Sequence, residues 1–241
     1  MIIYFLIPIY NEAENIPLLA QNLMSVIPNE SKHYIFIDDC SKDNTVSIIK
    51  EKFENLKYTI ISKTQNQGPG DSFNIGFNWI IENSQNNDDI IVTIEADNTS
   101  DLSILPTMIL LSKSNYSLVL ASVYAQGGGF DQTSFFRKII SFFANMLFRL
   151  FFDIKVLTLS SFYRVYHINL IKTIKEHNNK IISEKGFICM LEILLKAIKI
   201  NAKIIEVPMV LYSSNRKGKS KMKIWKTIRG YLLFILFKSK K

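Results

Sequence analysis

The chain reads as an α/β fold in which a mostly parallel central sheet carries helices on both faces. Three observations predict it. Short apolar runs recur at 2–8, 34–37, 58–62, 90–95 and 117–122. Amphipathic stretches separate them, the strand–helix rhythm of parallel sheets. With 241 residues, 48% of them hydrophobic, the chain can bury one large core.

Each element has its own justification. "IIYFLIP" at 2–8 is too short to span a bilayer and lacks a basic leader region, so it reads as the first core strand. Asn11 is placed as the cap of the next helix, with Glu14 three residues on as in a capping box. Ile16, Leu19, Leu23 and Val26 would form that helix's apolar face. "YIFI" at 34–37 is a second strand, and a helix is expected from about Val46 to Phe53. "YTIIS" at 58–62 is a third strand, and the turn "NQGPG" leads into a helix over 71–84. The fourth strand is 90–95, Pro106 lies in or at the start of the next helix, and "SLVLAS" at 117–122 is the fifth strand. "QGGGFDQ" at 126–132 reads as a loop, and 186–212 as a helix followed by a strand.

Two later segments are apolar and basic. "FFRKIISFFANMLFRLFF" at 135–152 carries Arg137, Lys138 and Arg149 as its only charges. It fits a buried helix or one lying in a membrane interface with its basic residues snorkelling. After Glu206 no acid follows, while Arg216, Lys217, Lys219, Lys221, Lys223, Lys226, Arg229 and three terminal lysines do. No uninterrupted apolar run reaches about 18 residues, so a spanning helix is not expected. A domain at 1–215 and a basic, apolar tail at 216–241 containing an amphipathic helix are the expected organisation.

The net charge of +8 points to anionic partners such as phosphorylated substrates, nucleic acid or an anionic membrane surface. Cys40 and Cys189 form no metal spacing or disulfide framework, which suits a reducing, cytosolic compartment. His33, His167 and His177 have no motif around them, and neither a Walker-type loop nor a glycine-rich dinucleotide fingerprint is present.

The acids are more informative. In parallel α/β sheets ligands gather at the carboxyl ends of the strands. Asn11–Glu12, Asp38–Asp39 and Glu95–Asp97 all fall at such ends. Carboxylates at a strand mouth in a basic chain suit a hard divalent cation bridging to a diphosphate. Asp101 reads only as a helix-start residue.

Seven motifs occur in a familiar order: "IPIYNEAENI", "FIDDCSKDNT", "NQGPGDSFNIGF", "IEADNTSD", "FFRKIIS", "SSFYRVYH" and "NRKGKSKMK". Together they resemble the family 2 glycosyltransferases over about residues 2–230, nearest to the dolichyl-phosphate mannose synthases and their bacterial polyprenyl-phosphate relatives. The resemblance implies a Rossmann-like GT-A fold, a nucleotide-sugar donor, Mg²⁺ or Mn²⁺, and inversion at the anomeric carbon. It places Pro8, Tyr10, Glu12, Ile37 and Asp39 around the donor base and ribose. Glu95, Ala96 and Asp97 fall on the D-x-D position, with Asp97, Glu95 and Thr99 as the metal set. Arg137 falls at a basic position, and Arg216, Lys217, Ser220, Lys221 and Lys223 match a phosphate-gripping region. Asp97, Arg137 and Lys217 are the implied catalytic groups. The chain departs from its relatives in Glu95 for the first acid, Thr99 where Gln is usual, and Val123 where arginine is expected.

The implied acceptor is a polyprenyl phosphate, reached from the cytoplasmic face of a membrane to which the basic, apolar segments attach. The implied partners are therefore a nucleotide sugar, a polyprenyl phosphate lipid and the membrane surface, with no nucleic acid. A membrane-anchor subunit or a homo-oligomer is left open. Transfer to a hydroxyl of a surface glycan is the second reading, and a non-catalytic basic membrane-binding module the third.

Overall fold

The computed structural model describes residues 1–132, 146, 149–151, 154–218, 230 and 234. Its main sheet has seven strands in the order β3-β2-β1-β4-β7-β5-β8. The first four to form in sequence are β1 (Ile3–Ile9), β2 (Lys32–Asp38), β3 (Tyr58–Ser62) and β4 (Ile90–Thr93). They run parallel, joined by α1 (Ile16–Ser25), α2 (Thr45–Lys52) and α3 (Pro69–Asn83). After α4 (Leu105–Lys113) comes β5 (Leu118–Ser122). Strand β7 (Arg164–His167) then enters antiparallel between β4 and β5. Helices α5 (Ile168–His177) and α6 (Cys189–Lys199) precede β8 (Ile204–Pro208), which is parallel to β5.

The period-two alternation of the strands divides the core. Ile3, Phe5, Ile7 and Ile9 face one side, where they pack with α1, α2 and α4 through Leu19, Ile49 and Met108. Tyr4 and Leu6 face the other, with α3, α5 and α6 through Phe77, Ile171 and Leu194. Gly76 lets α3 lie close on β1, since a Cβ there would sit 2.1 Å from Leu6 Cδ1.

Four expectations change. Helix α1 begins at Ile16, not after Asn11, and Asn11 adopts a left-handed φ of 52°. Pro17 in the first turn sets that start, and the Asn11 side chain instead accepts the Lys42 N–H at 2.7 Å. Within the loop 126–132, Gly129–Asp131 form β6, which pairs in parallel with β9 (Val210–Tyr212). The single strand expected before residue 212 is therefore two: the chain leaves the main sheet after Pro208 and joins β6. Finally, β4 ends at Thr93, so Ile94 to Asp97 leave the ladder with only the Ile94 N–H bonded back to Leu6 O at 3.3 Å.

Most of 135–152 and of 224–237 lies outside the described residues, as do Arg137, Ser220, Lys221 and Lys223. Among the described residues no helix is long and apolar enough to cross a membrane.

Candidate active site

The carboxyl ends of β1, β2 and β4 converge, because parallel register puts their last residues side by side: Pro8 lies opposite Ile37 and Ile9 opposite Asp38. Asp39, just past β2, is buried and fully engaged. Its carboxylate accepts the N–H groups of Gln67 and Gly68, both at 2.8 Å, and pairs with Lys63 Nζ at 2.7 Å. Lys63 also reaches Asp71 Oδ2 at 2.8 Å. Asp39 thus fastens the start of α3 to the mouth of the sheet, and the positive end of that helix favours its charge. Asp38 accepts the Ser41 N–H at 2.9 Å, and the Glu12 N–H donates to Thr45 Oγ1 at 2.8 Å. Pro8 and Tyr10 are half-buried at the end of β1, and Ile37 is buried in β2.

The strand-end acids Glu95 and Asp97 stand beside this frame. Asp97 is held from both sides. Thr99 donates to Asp97 Oδ1 through its hydroxyl at 2.8 Å and its N–H at 3.1 Å. On the other oxygen, Arg216 Nε donates to Oδ2 at 2.7 Å, and the same guanidinium makes a second bond through Nη2. Thr99, expected among the metal residues, is buried and orients Asp97. Ala96 is buried between the two acids. Among the described residues the Glu95 carboxyl has no hydrogen-bond donor. Burial, first, and the neighbouring Asp97, second, push it up to about 8, with Arg216 opposing.

Sequence reasoning passed over Asn15 and Asn98. Asn98, with a left-handed φ of 62°, turns the chain after Asp97. Its side chain donates to Asn15 O at 3.0 Å. The Asn15 carboxamide meets the backbone of Lys217, with Nδ2 donating to its O at 3.1 Å and Oδ1 accepting its N–H at 2.9 Å. The sign available in the sequence was a buried-type position, Asn15, directly before the apolar period of α1 begins.

A divalent cation fits this mouth. Two carboxyls sit two residues apart, the half-buried Glu95 with no donor and the buried Asp97 already holding a cationic group. Among the described residues no three His, Cys, Asp or Glu side chains gather as a closed metal cage. Glu95 and Asp97 would therefore hold the ion from one side and leave the rest of its coordination to water or phosphate, as suits Mg²⁺ or Mn²⁺.

Residues 4–175 match the family model described as Glycosyl transferase family 2. The chain is 25% identical over 218 residues to an undecaprenyl-phosphate mannosyltransferase of Micrococcus luteus, covering 90% of this chain and 86% of that one. It is 28% identical over 234 residues to a dolichol-phosphate mannosyltransferase of Pyrococcus furiosus, covering 95% of this chain and 61% of the other. Its fold resembles glucosyl-3-phosphoglycerate synthase of Mycobacterium tuberculosis, solved with Mn²⁺, UDP-glucose and phosphoglyceric acid. The TM-score is 0.69 at 14% identity, with 100% of this chain and 80% of that one covered. Against S. aureus TarS with UDP-GlcNAc the TM-score is 0.62 at 18% identity, over 98% and 67% of the two chains. The architecture is the GT-A fold.

Proposed function

Because the chain belongs to glycosyl transferase family 2, we propose that it moves one sugar from a nucleotide-sugar donor to a polyprenyl or dolichyl phosphate at a membrane surface. The donor is of the GDP-mannose or UDP-hexose type, and transfer inverts the anomeric carbon. The observation that carries this reading is the acid pair Glu95 and Asp97 with the Arg216–Lys217 arm seated on it. Acids for a cation and a guanidinium for an oxyanion meet there within hydrogen-bond reach, which is what a departing diphosphate requires. Relatives named as mannosyltransferases of undecaprenyl and dolichol phosphate support the lipid acceptor.

In this reading Glu95 and Asp97 hold Mg²⁺ or Mn²⁺, which neutralises charge on the donor diphosphate when bound. Thr99 fixes the Asp97 rotamer. Arg216 turns from Asp97 to the leaving diphosphate, and Lys217, exposed beside it, adds a second positive charge. The family resemblance extends the same phosphate-binding role to Arg137, Ser220, Lys221 and Lys223. Asp39, Pro8, Tyr10, Glu12 and Ile37 shape the wall against the base and ribose. The protein acts from the cytoplasmic side as a peripheral enzyme. Met146, Leu150 and Phe151, exposed at 41%, 76% and 57%, support an apolar face turned to lipid.

The test is incubation of the full chain with labelled GDP-mannose, UDP-glucose and UDP-GlcNAc in turn, polyprenyl phosphate in vesicles, and Mn²⁺ or Mg²⁺. Label entering the organic phase is expected with one donor. A folded chain that transfers none of them to lipid, but does label a glycan hydroxyl, would replace this reading with the second one.

A further inference from the structure

The side chain of Asn15 does not serve its own helix. It stands at the N-cap of α1 yet makes no capping hydrogen bond there. It is 2% exposed, and its carboxamide is committed elsewhere. Nδ2 donates to Glu12 Oε2 at 2.7 Å, which fixes which way the amide points. The same Nδ2 and Oδ1 then take the carbonyl and N–H of Lys217, both polar groups of one backbone residue, as a neighbouring strand would.

The segment 212–218 is stitched to the acidic turn at three further points. The Tyr212 N–H donates to Thr99 O at 2.9 Å, Asn215 Nδ2 to Asn98 O at 3.3 Å, and Arg216 to the Asp97 carboxylate. Asn98 is itself tied to Asn15 O at 3.0 Å, so one buried residue touches both the acidic turn and the basic arm. A slip of one residue in the arm would place Lys217, not Arg216, against Asp97.

We propose that Asn15 is a positioning residue that docks the basic arm 212–218 in register over the acidic strand end. It acts through Arg216 and Lys217 and touches neither substrate itself. The consequence for transfer rests on the function proposed above, whereas the docking can be tested without any substrate.

The full-length parent, Asn15→Ala and Asn15→Asp are exposed briefly to trypsin, and cleavage after Arg216 and Lys217 is timed by mass spectrometry. Aspartate keeps the acceptor but cannot donate to Lys217 O or Glu12. Both variants should be cut at these bonds at least about tenfold faster, because cleavage follows the population of the released arm. Sites within 1–132 should be cut at the parental rate. Unchanged cleavage at the arm overturns the proposal. If a variant is cut faster everywhere, it has lost its fold, and hydrogen exchange on the parent decides. Protection of the Lys217 amide supports docking and its absence overturns it. In the sugar-transfer assay, the folded variants should lose kcat and keep the KM for polyprenyl phosphate. A parent with a protected arm that transfers no sugar would sink the proposed function and leave the docking intact.

Discussion

If Asp97 holds the cation as proposed, Arg216 and the metal compete for the same oxygen, and Arg216→Gln should bind Mn²⁺ more tightly while transferring sugar more slowly. The guanidinium makes two charge-assisted bonds to Asp97 Oδ2, and the two side chains retain 27% and 10% of their exposure. Hydrogen bonds to charged groups contribute about 1.5–3 kcal/mol, and the residual exposure of Arg216 places this pair at the low end, about 1.5 kcal/mol. That contribution opposes the metal, which must displace the guanidinium. Removing it should lower the Kd for Mn²⁺ by about tenfold. Loss of a positive charge beside the site acts in the same direction. Free Mn²⁺, measured by electron paramagnetic resonance during titration of the full chain at low salt, gives the Kd directly. Turnover should fall by about 10²-fold or more, because the leaving diphosphate loses its guanidinium. An Mn²⁺ affinity that is unchanged or weaker would refute the competition, and with it the assignment of Asp97 to the metal.

Other perturbations separate the roles around Asp97. Thr99→Val removes the hydroxyl that orients Asp97 and should weaken Mn²⁺ binding about 10- to 100-fold with the fold intact by circular dichroism. Glu95, held up to about 8, is largely protonated at pH 7 without metal; a ligand must be a carboxylate, so Mn²⁺ binding should release close to one proton. Calorimetry in buffers of different ionisation enthalpy reads that proton, and Glu95→Gln should release none. The sign for the metal-free fold is the reverse of an ordinary carboxylate: stability falls as pH rises from about 4.5 to about 8, and Mn²⁺ removes the slope. His33 is buried against Trp79, with burial and then Lys57 pushing it down to about 4. Above about 6.5 it is neutral folded and unfolded; between 6.5 and 4 only the unfolded chain takes the proton, so stability should fall by about 3 kcal/mol. Urea unfolding at pH 7.5 and 4.5 should show this extra loss in the parent and not in His33→Phe.

The parallel half of the fold was legible because its strands are continuous apolar runs. Tyr58–Ser62 matches the expected third strand residue for residue, and Asp101 accepts the Ser103 N–H at a helix start as expected. What escaped was what depends on distant partners. Strand β7 is masked by Arg164, a charge that no local pattern places in a central strand. It is buried there because its guanidinium donates to the carbonyls of Leu159, Ser161 and Met190 at 2.7–2.8 Å. Strand β6 pairs with a segment about eighty residues later, which a three-residue run cannot announce. The acids of the site were readable from strand-end position, but not that Asn15 joins them to Lys217, 202 residues on.

The proposed phosphate acceptor is supported by how the mouth carboxylates are engaged. Among the described residues, Glu12 accepts from Asn15, Asp38 from Ser41, Asp39 from Gln67, Gly68 and Lys63, and Asp97 from Thr99 and Arg216. Glu95 has no donor, but it is protonated near neutrality without a cation and in the proposed function is a ligand with one. A sugar hydroxyl needs a general base to attack, and each of these carboxyls already has other work. A phosphate monoester attacks as an anion, with its second pKa at about 6, and needs only cations to bring it near two acids. The chain, with a net charge of +8, has cations to spare for that beyond the Arg216–Lys217 arm committed to the diphosphate. At saturating Mn²⁺ the transfer rate should therefore rise through about pH 6 and stay level to about pH 9, and polyprenol should not replace its phosphate as acceptor. A basic limb that persists near 8 and disappears in Glu95→Gln, or transfer to the free alcohol, would assign a base to this site and return the hydroxyl acceptor to first place.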